Sequence, residues 1–174
     1  MSLIFATGLR PGSDTDTKAK LKAYGATTLE GKHVITEGDN VSLQFTGKKG
    51  VSLNIPVENK EIAAMLKDRA NKAGANKKIF AETNSSILLA YVHGLDKRFK
   101  VKDFRTHLAN KIALEEAAKI PLPQNKKEYA MAVKKVATAV SNKLGNTPKV
   151  ARESYIDPSV WSKWEENIHE NEWR

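Results

Sequence analysis

Lysine and arginine are the residues with the clearest chemical consequence in this sequence. The 174 residues include 29 of them against 20 acidic residues, a formal net charge of +9. The excess lies before residue 153, because residues 153–174 contain more acidic than basic side chains. A body this basic favours a polyanionic partner, with nucleic acid as the first candidate. A solvated lysine-rich surface would give the same balance. A membrane surface ranks third, because no lysine cluster flanks an amphipathic apolar helix.

The sequence lacks the residues that several other kinds of chemistry require. The chain has no cysteine, which excludes disulfides, thiolate zinc sites and cysteine nucleophiles. Its four histidines match no metal-binding spacing, and no glycine-rich phosphate-binding motif occurs. We therefore expect no metal, no cofactor and no bound nucleotide. No apolar stretch approaches the roughly 20 residues of a membrane span, and the N-terminus does not have the pattern of a signal peptide, so we expect a soluble intracellular protein.

Alternating apolar residues predict a small antiparallel sheet in the N-terminal third of the chain. Apolar and polar residues alternate through Val41–Thr46 and again through Val51–Pro56, with glycine-containing turns between the segments. With His33–Thr36 as the first strand, we predict a three-stranded meander. Lys48 and Lys49 would lie at the tip of its second hairpin.

The remainder of the chain is predicted to be mainly helical. One helix is expected within Ser13–Tyr24, ahead of the sheet, and six are expected after it. The six are predicted at Ile62–Gly74, Asn84–Val92, Val101–Lys119, Tyr129–Leu144, 148–155 and 158–168. Asn84, Thr147 and Asp157 are the expected N-caps, and Gly145 is expected to end the longest helix. The predicted fold class is α+β, mainly α: a small sheet followed by a helical body, without alternating βαβ units.

Four short blocks of sequence form a recognisable pattern when they are taken in order. They are Gly8-Leu9-Arg10 followed by Tyr24–Leu29 and Lys32–Val34, then Phe45–Lys48, then Lys102–Thr106, and finally Leu144–Pro158 with Ser-Tyr-Ile-Asp-Pro at its end. In this order they resemble the catalytic domain of type IB DNA topoisomerases of the poxvirus and bacterial kind. The resemblance spans residues 8 to 158 and implies the core fold that these enzymes share with tyrosine recombinases.

The resemblance also implies roles for three of the matching residues. Tyr155 would attack a DNA phosphodiester and form a 3′-phosphotyrosyl intermediate, although a phenol with a pKa of about 10 needs cationic neighbours or a base to react. Arg10 and Arg105 would bind the non-bridging phosphate oxygens, since a guanidinium offers parallel donors and keeps its charge. Surface salt bridges are the alternative for either arginine. The other three tyrosines are interpreted as core residues.

Lys48 and Asn146 complete the implied set. Lys48 would be the general acid that protonates the leaving 5′ oxygen. It follows the glycine of the family's pattern, whereas Lys49 is interpreted as a solvated turn residue. Asn146 stands where several relatives have a histidine, and its amide could donate a hydrogen bond to the phosphate but could not titrate. A linker asparagine beside the Thr147 cap is an equal alternative.

Two other functions share these sequence features. A tyrosine recombinase or integrase has the same core and nucleophile, but such enzymes usually show His-x-x-Arg at the second arginine, and Lys102 occupies the place of that histidine. A non-catalytic basic module could bind DNA while merely keeping the motif. The resemblance favours a topoisomerase that relaxes supercoils by strand rotation without metal or ATP.

The length predicts one catalytic domain over residues 1–174, with a helix and β-meander part at 1–56 and a helical part at 57–174. Relatives usually have a further N-terminal domain that closes around the duplex, and Arg10 is near the start of this chain. We therefore expect a catalytic fragment that binds double-stranded DNA with reduced affinity and strong salt dependence. We expect a monomer, either cytoplasmic and nucleoid-associated or encoded by a virus or mobile element.

Overall fold

The computed structural model describes residues 1–13, 15 and 21–172 and shows a small sheet followed by helices. The elements are α1 (Ser2–Thr7), β1 (Val34–Glu37), β2 (Asn40–Thr46), β3 (Ser52–Pro56), α2 (Lys60–Ala73), α3 (Ser85–Leu95), α4 (Val101–Ala117), α5 (Lys126–Leu144), α6 (Pro148–Ser154) and α7 (Ser162–Glu172). This order confirms the predicted α+β, mainly α, class. No helix among these described residues is long and apolar enough to cross a membrane.

The sheet has the predicted meander topology. Its strands lie in the order β1-β2-β3 and both pairs are antiparallel. Leu43 is opposite Val34 on one side and Ile55 on the other. The alternating apolar residues of β2 face the core, since Val41, Leu43 and Phe45 are buried. The alternation in the sequence therefore identified both the strands and their buried face.

The N-terminal helix differs from the prediction. A short helix forms at Ser2–Thr7, where none was expected, because Leu3, Ile4 and Thr7 bury one of its faces. Gly8 ends this helix in the left-handed conformation (φ 68°), which glycine adopts without steric cost. The helix predicted within Ser13–Tyr24 falls largely on residues 14 and 16–20, which lie outside the described residues. Its described residues, Ser13, Thr15 and 21–24, are not helical.

Capping side chains fix the starts of several helices as the sequence indicated. The Asn84 carboxamide oxygen accepts from the amides of Ser86 and Ile87, both at 2.9 Å, and Thr147 caps α6. Asp157 caps the 3-10 turn that leads into α7. Gly145 ends α5 in the left-handed conformation, as predicted. α3 continues to Leu95, beyond the predicted end at Val92.

The chain forms two compact units, Met1–Arg105 and Thr106–Arg174. The first unit contains the sheet, α1 to α3 and the first residues of α4, around a core that includes Leu29, Leu43 and Leu66. The sheet thus packs with α2, although the sequence separated a sheet part from a helical part at Pro56. The assignment of residues 1–174 to one catalytic domain stays a prediction.

The second unit is built around α5. Its buried stripe packs with α6 and with residues from α4 and α7. The buried residues of α5 are Ala132, Val133, Val136, Ala137, Val140, Ser141 and Leu144. The spacing is that of one face of an amphipathic helix, so the most regular apolar pattern in the sequence forms the centre of this unit.

Two buried polar residues, Glu30 and His33, lie in the chain just before β1. The Glu30 carboxylate accepts from the Nζ atoms of Lys32 (2.7 Å) and Lys22 (3.1 Å). Burial alone would raise the pKa of Glu30, but these hydrogen bonds outweigh it and the pKa lies below its usual value. His33 is 6% exposed, its Nδ1 accepts from the Glu30 amide at 2.9 Å, and its ring packs against Tyr24. Burial lowers the pKa of His33, so the neutral imidazole is favoured.

We expect His33 to make the stability of the protein depend on pH. Because its folded pKa is depressed, its contribution is complete above the unfolded pKa of about 6.5 and is lost as pH falls below that value. Urea unfolding should therefore show a lower midpoint at about pH 5.5 than at about pH 7.5. His33→Gln keeps a hydrogen-bond acceptor but does not titrate, so its midpoint should fall less over the same interval. Equal losses in the two proteins would contradict this role of His33.

Candidate active site

Arg10 lies in the loop that follows α1, and neighbouring backbone holds that loop in place. The Ala26 amide donates to the Arg10 carbonyl at 2.8 Å, and the Thr27 amide donates to the Pro11 carbonyl at 2.7 Å. The residue is half-buried, in contrast to a fully solvated surface arginine. The loop is therefore a fixed part of the first unit.

Lys48 lies where the sequence predicted, in the connection between β2 and β3. The Gly47 amide donates to the Val51 carbonyl at 2.7 Å and closes a short 3-10 turn over Lys48–Gly50. The Lys48 side chain is exposed, so it is accessible to a ligand.

Arg105 lies in the first turns of α4 and is 2% exposed. Its Nη1 donates to the carbonyl of Gly8. A guanidinium buried to this extent is not a surface residue, so the surface salt-bridge alternative for Arg105 is wrong. The bond brings the two arginine segments together, because Gly8 is two residues from Arg10 although 97 residues separate it from Arg105 in the chain.

Tyr155 lies in the second unit, at the C-terminal end of α6. Its φ of −134° takes the chain out of the helix, and the residue is 6% exposed in an apolar cluster with Ile156, Trp161 and Trp164. The Tyr155 amide still donates to the Ala151 carbonyl at 3.2 Å. The structure thus fixes the backbone of Tyr155 between α6 and the turn that begins at Asp157.

Asn146 lies between Gly145 and Thr147, and its amide group is unusual. Within the described part of the chain, neither its Nδ2 nor its Oδ1 has a hydrogen-bond partner, and both atoms are buried. A buried polar group without a partner costs about 1–3 kcal/mol. Thr147 itself accepts from the Val150 amide at 3.3 Å and caps α6, so Asn146 is not needed as a cap. The free donor fits the expectation that Asn146 binds a ligand.

The other tyrosines differ from Tyr155 in their surroundings. Burial raises the pKa of Tyr129 to about 12, and its hydroxyl donates to Glu165 at 2.7 Å. Ionisation of the Tyr129 phenol is therefore disfavoured. Tyr24 is half-buried against His33. Tyr91 is 58% exposed on α3, so its interpretation as a core residue is wrong.

The five predicted site residues are divided between the two units. The first unit contains the three expected cations, Arg10, Lys48 and Arg105, and the second contains Asn146 and Tyr155. Among the described residues, no group of three His, Asp or Glu side chains could hold a metal ion; that no metal is needed stays a prediction.

Comparison with known sequences identifies the family. The sequence profile described as "Eukaryotic DNA topoisomerase I, catalytic core" matches residues 1–174. The chain belongs to this topoisomerase I catalytic-core family. It is also similar to a protein named DNA topoisomerase 1B from Acanthamoeba polyphaga mimivirus, with 26% identity over 150 residues, which cover 78% of this chain and 45% of the viral protein. The chain therefore spans about half the length of that relative.

One polar residue of this topoisomerase-family chain was missed by the sequence analysis. Asn110 of α4 donates from Nδ2 to the carbonyl of Tyr155 at 2.9 Å, and its Oδ1 accepts from the Asp157 amide at 2.7 Å. It also bonds to the Thr106 carbonyl of its own helix. In the sequence, Asn110 could have been noticed as a polar side chain next to the buried positions Ala109 and Ala113. Asn110 therefore fastens the chain on both sides of Ile156.

We expect Asn110→Ala to destabilise the protein by about 1–3 kcal/mol, because it leaves the Tyr155 carbonyl without this donor and the Asp157 amide without this acceptor. Urea unfolding of the variant measures the loss. Asn142→Ala is the matched control, since Asn142 is exposed on α5 and should change stability by no more than about 0.5 kcal/mol. An Asn110→Ala variant as stable as this control would contradict the assigned contacts.

Proposed function

We propose that this chain is the catalytic domain of a type IB DNA topoisomerase that cuts and rejoins one strand of double-stranded DNA. The observation that carries the proposal is the bond from the buried Arg105 guanidinium to Gly8, since it unites two arginine segments that the resemblance assigns to one phosphate. Membership of the topoisomerase I catalytic-core family supports it independently.

In the proposed reaction the Tyr155 oxygen attacks the scissile phosphorus. The bond from phosphorus to the 5′ oxygen breaks, and the Tyr155 oxygen becomes joined to the 3′ phosphate. The phenol gives its proton to solvent water, and the departing 5′ oxygen gains a proton from Lys48, which solvent then reprotonates. Because the ring of Tyr155 is buried, the reaction also requires its hydroxyl to be uncovered to DNA.

Charge stabilisation is the part of the reaction that the arginines would supply. Negative charge grows on the non-bridging oxygens in the transition state, and hydrogen-bond donors directed at those oxygens stabilise it. Because Arg105 is buried, the reaction also requires its guanidinium to be uncovered to the phosphate. A guanidinium group stays protonated in proteins, so either arginine would bring a positive charge to the phosphate. Asn146 would add a neutral hydrogen bond from its free amide donor.

The proposal requires neither metal nor ATP. The phosphotyrosyl ester keeps the energy of the broken phosphodiester, so the free 5′-hydroxyl can attack it and restore the strand. Rotation of the cut strand between the two steps would relax supercoils. The partner is double-stranded DNA, whose phosphates match the net charge of +9, and we propose that the chain acts as a monomer.

Plasmid relaxation in EDTA without ATP tests this function directly. The wild-type protein should relax supercoiled DNA and leave SDS-stable protein–DNA complexes. Tyr155→Phe should abolish both, because it removes the attacking oxygen, while DNA retention in a gel stays nearly unchanged. Tyr91→Phe is the matched control and should behave as wild type. Relaxation by Tyr155→Phe would contradict the assigned nucleophile, and retention of DNA without relaxation by the wild type would favour a non-catalytic binding module.

The role of Lys48 is tested by a change in the leaving group. Lys48→Ala should slow cleavage of an ordinary duplex by about 10²–10⁴-fold, the usual contribution of a general acid. With a 5′-bridging phosphorothiolate at a mapped cleavage site, the same variant should come within about tenfold of wild type, because a thiolate leaves without a proton. Lys67→Ala, at an exposed position of α2, should match wild type on both substrates. Equal slowing on both substrates would contradict proton donation by Lys48.

A further inference from the structure

The segment Tyr24–Thr28 lies between the loop of Arg10 and the hairpin of Lys48. On the loop side, the Thr27 Oγ1 donates to the Pro11 carbonyl at 2.8 Å, beside the bond from the Thr27 amide to the same oxygen. Together with the bond from Ala26 to Arg10, three hydrogen bonds hold the backbone of Arg10 and Pro11. The residue that makes two of them is Thr27.

On the other side, the segment is attached to the end of β2. The Tyr24 amide donates to the Thr46 carbonyl at 2.8 Å. Thr46 is the last residue of β2 and lies two positions before Lys48. One short segment therefore contacts the backbone next to two of the proposed catalytic cations.

The segment is also held tightly within itself and against the Arg10 loop. The Thr28 Oγ1 accepts from the Gly25 amide at 2.9 Å, and Thr27 and Thr28 are each 3% exposed. A Cβ atom at Gly25 would lie 2.6 Å from the Gly12 Cα and 2.7 Å from the Arg10 carbonyl oxygen. Only glycine allows backbones to approach so closely.

We propose that Thr27 is a positioning residue for Arg10, and that its hydroxyl sets where the Arg10 guanidinium meets the phosphate. The inference rests on the proposed function. Catalytic groups must be held close to their productive geometry, and a misplacement of about 1 Å costs up to 10²-fold in rate. Because Gly8 ends α1, the backbone at Arg10 is no longer held by helical hydrogen bonds. The hydrogen bonds to residues 10 and 11 therefore determine its path.

The test measures the rate of plasmid relaxation at enzyme excess. Thr27→Val keeps the shape of the side chain but removes its donor, and it should slow relaxation by about tenfold. Thr27→Ser keeps the donor and should restore most of the rate. Thr138→Val is the matched control and should match wild type, because the Thr138 hydroxyl donates at 2.7 Å to a carbonyl of its own helix. Circular dichroism checks folding, and Thr27→Ala replaces Thr27→Val if the valine variant does not fold.

The same measurement in an Arg10→Ala background separates positioning from a general structural effect. If Thr27 acts through Arg10, then Thr27→Val should cause no further slowing once Arg10 is absent, since coupled residues are not additive. A folded Thr27→Val protein with the wild-type rate would overturn the inference alone, as would equal slowing in both backgrounds. A wild-type protein that does not relax DNA would instead overturn the proposed function, and the inference with it.

Discussion

The buried guanidinium of Arg105 constrains the first unit. Arg105 is almost fully enclosed, and burying an ionised group costs several kcal/mol unless hydrogen bonds compensate for it. Its bond to the Gly8 carbonyl supplies part of that compensation and also fixes the end of α1. From there the backbone turns at Gly8 into the Arg10 loop, which Tyr24–Thr28 holds from another direction. The geometry of both arginines therefore depends on the Arg105 side chain. Its charge is expensive to bury but would stabilise the negative charge of a bound phosphate.

The second unit also contains a buried polar group that destabilises the fold but could take part in the proposed reaction. Its apolar stripe on α5 and its tryptophans provide stability, and Asn110 holds the backbone around Tyr155. Asn146 contributes no such contact within the described chain, because both polar atoms of its amide are buried and unbonded. The fold therefore leaves a hydrogen-bond donor beside the α6 cap without a partner in the described chain. The phosphate that we propose as substrate would satisfy that donor.

Local patterns in the sequence were enough for much of the fold. Alternation through Val41–Thr46 predicted a strand and its buried face, and Asn84, Thr147 and Gly145 marked helix ends because capping depends on neighbouring residues. The helix at Ser2–Thr7 was missed, since so short a segment is helical only through burial of Leu3 and Ile4 in a core that distant residues build.

The candidate site was predictable only through resemblance. Residue types alone could not show that the Arg10 segment contacts Arg105, which is almost a hundred positions away in the chain. No local pattern indicates that Arg105 is buried. The bonds of Asn110 to residues 155 and 157 were also beyond the sequence, because a single asparagine beside an apolar stripe has many equivalent explanations. Long-range hydrogen bonds of this kind are determined by the packing of whole elements.

Mapping the covalent adduct between protein and DNA would show whether Tyr155 is the nucleophile. Protein trapped on DNA with SDS can be digested with nuclease and trypsin and its peptides analysed by mass spectrometry. Cleavage after Arg152 and Lys163 releases the peptide Glu153–Lys163, whose one tyrosine is Tyr155. We expect a 3′-phosphonucleotide on that tyrosine. An adduct on Tyr24, Tyr91, Tyr129 or a serine, or no adduct while DNA is relaxed, would show that Tyr155 is not the nucleophile.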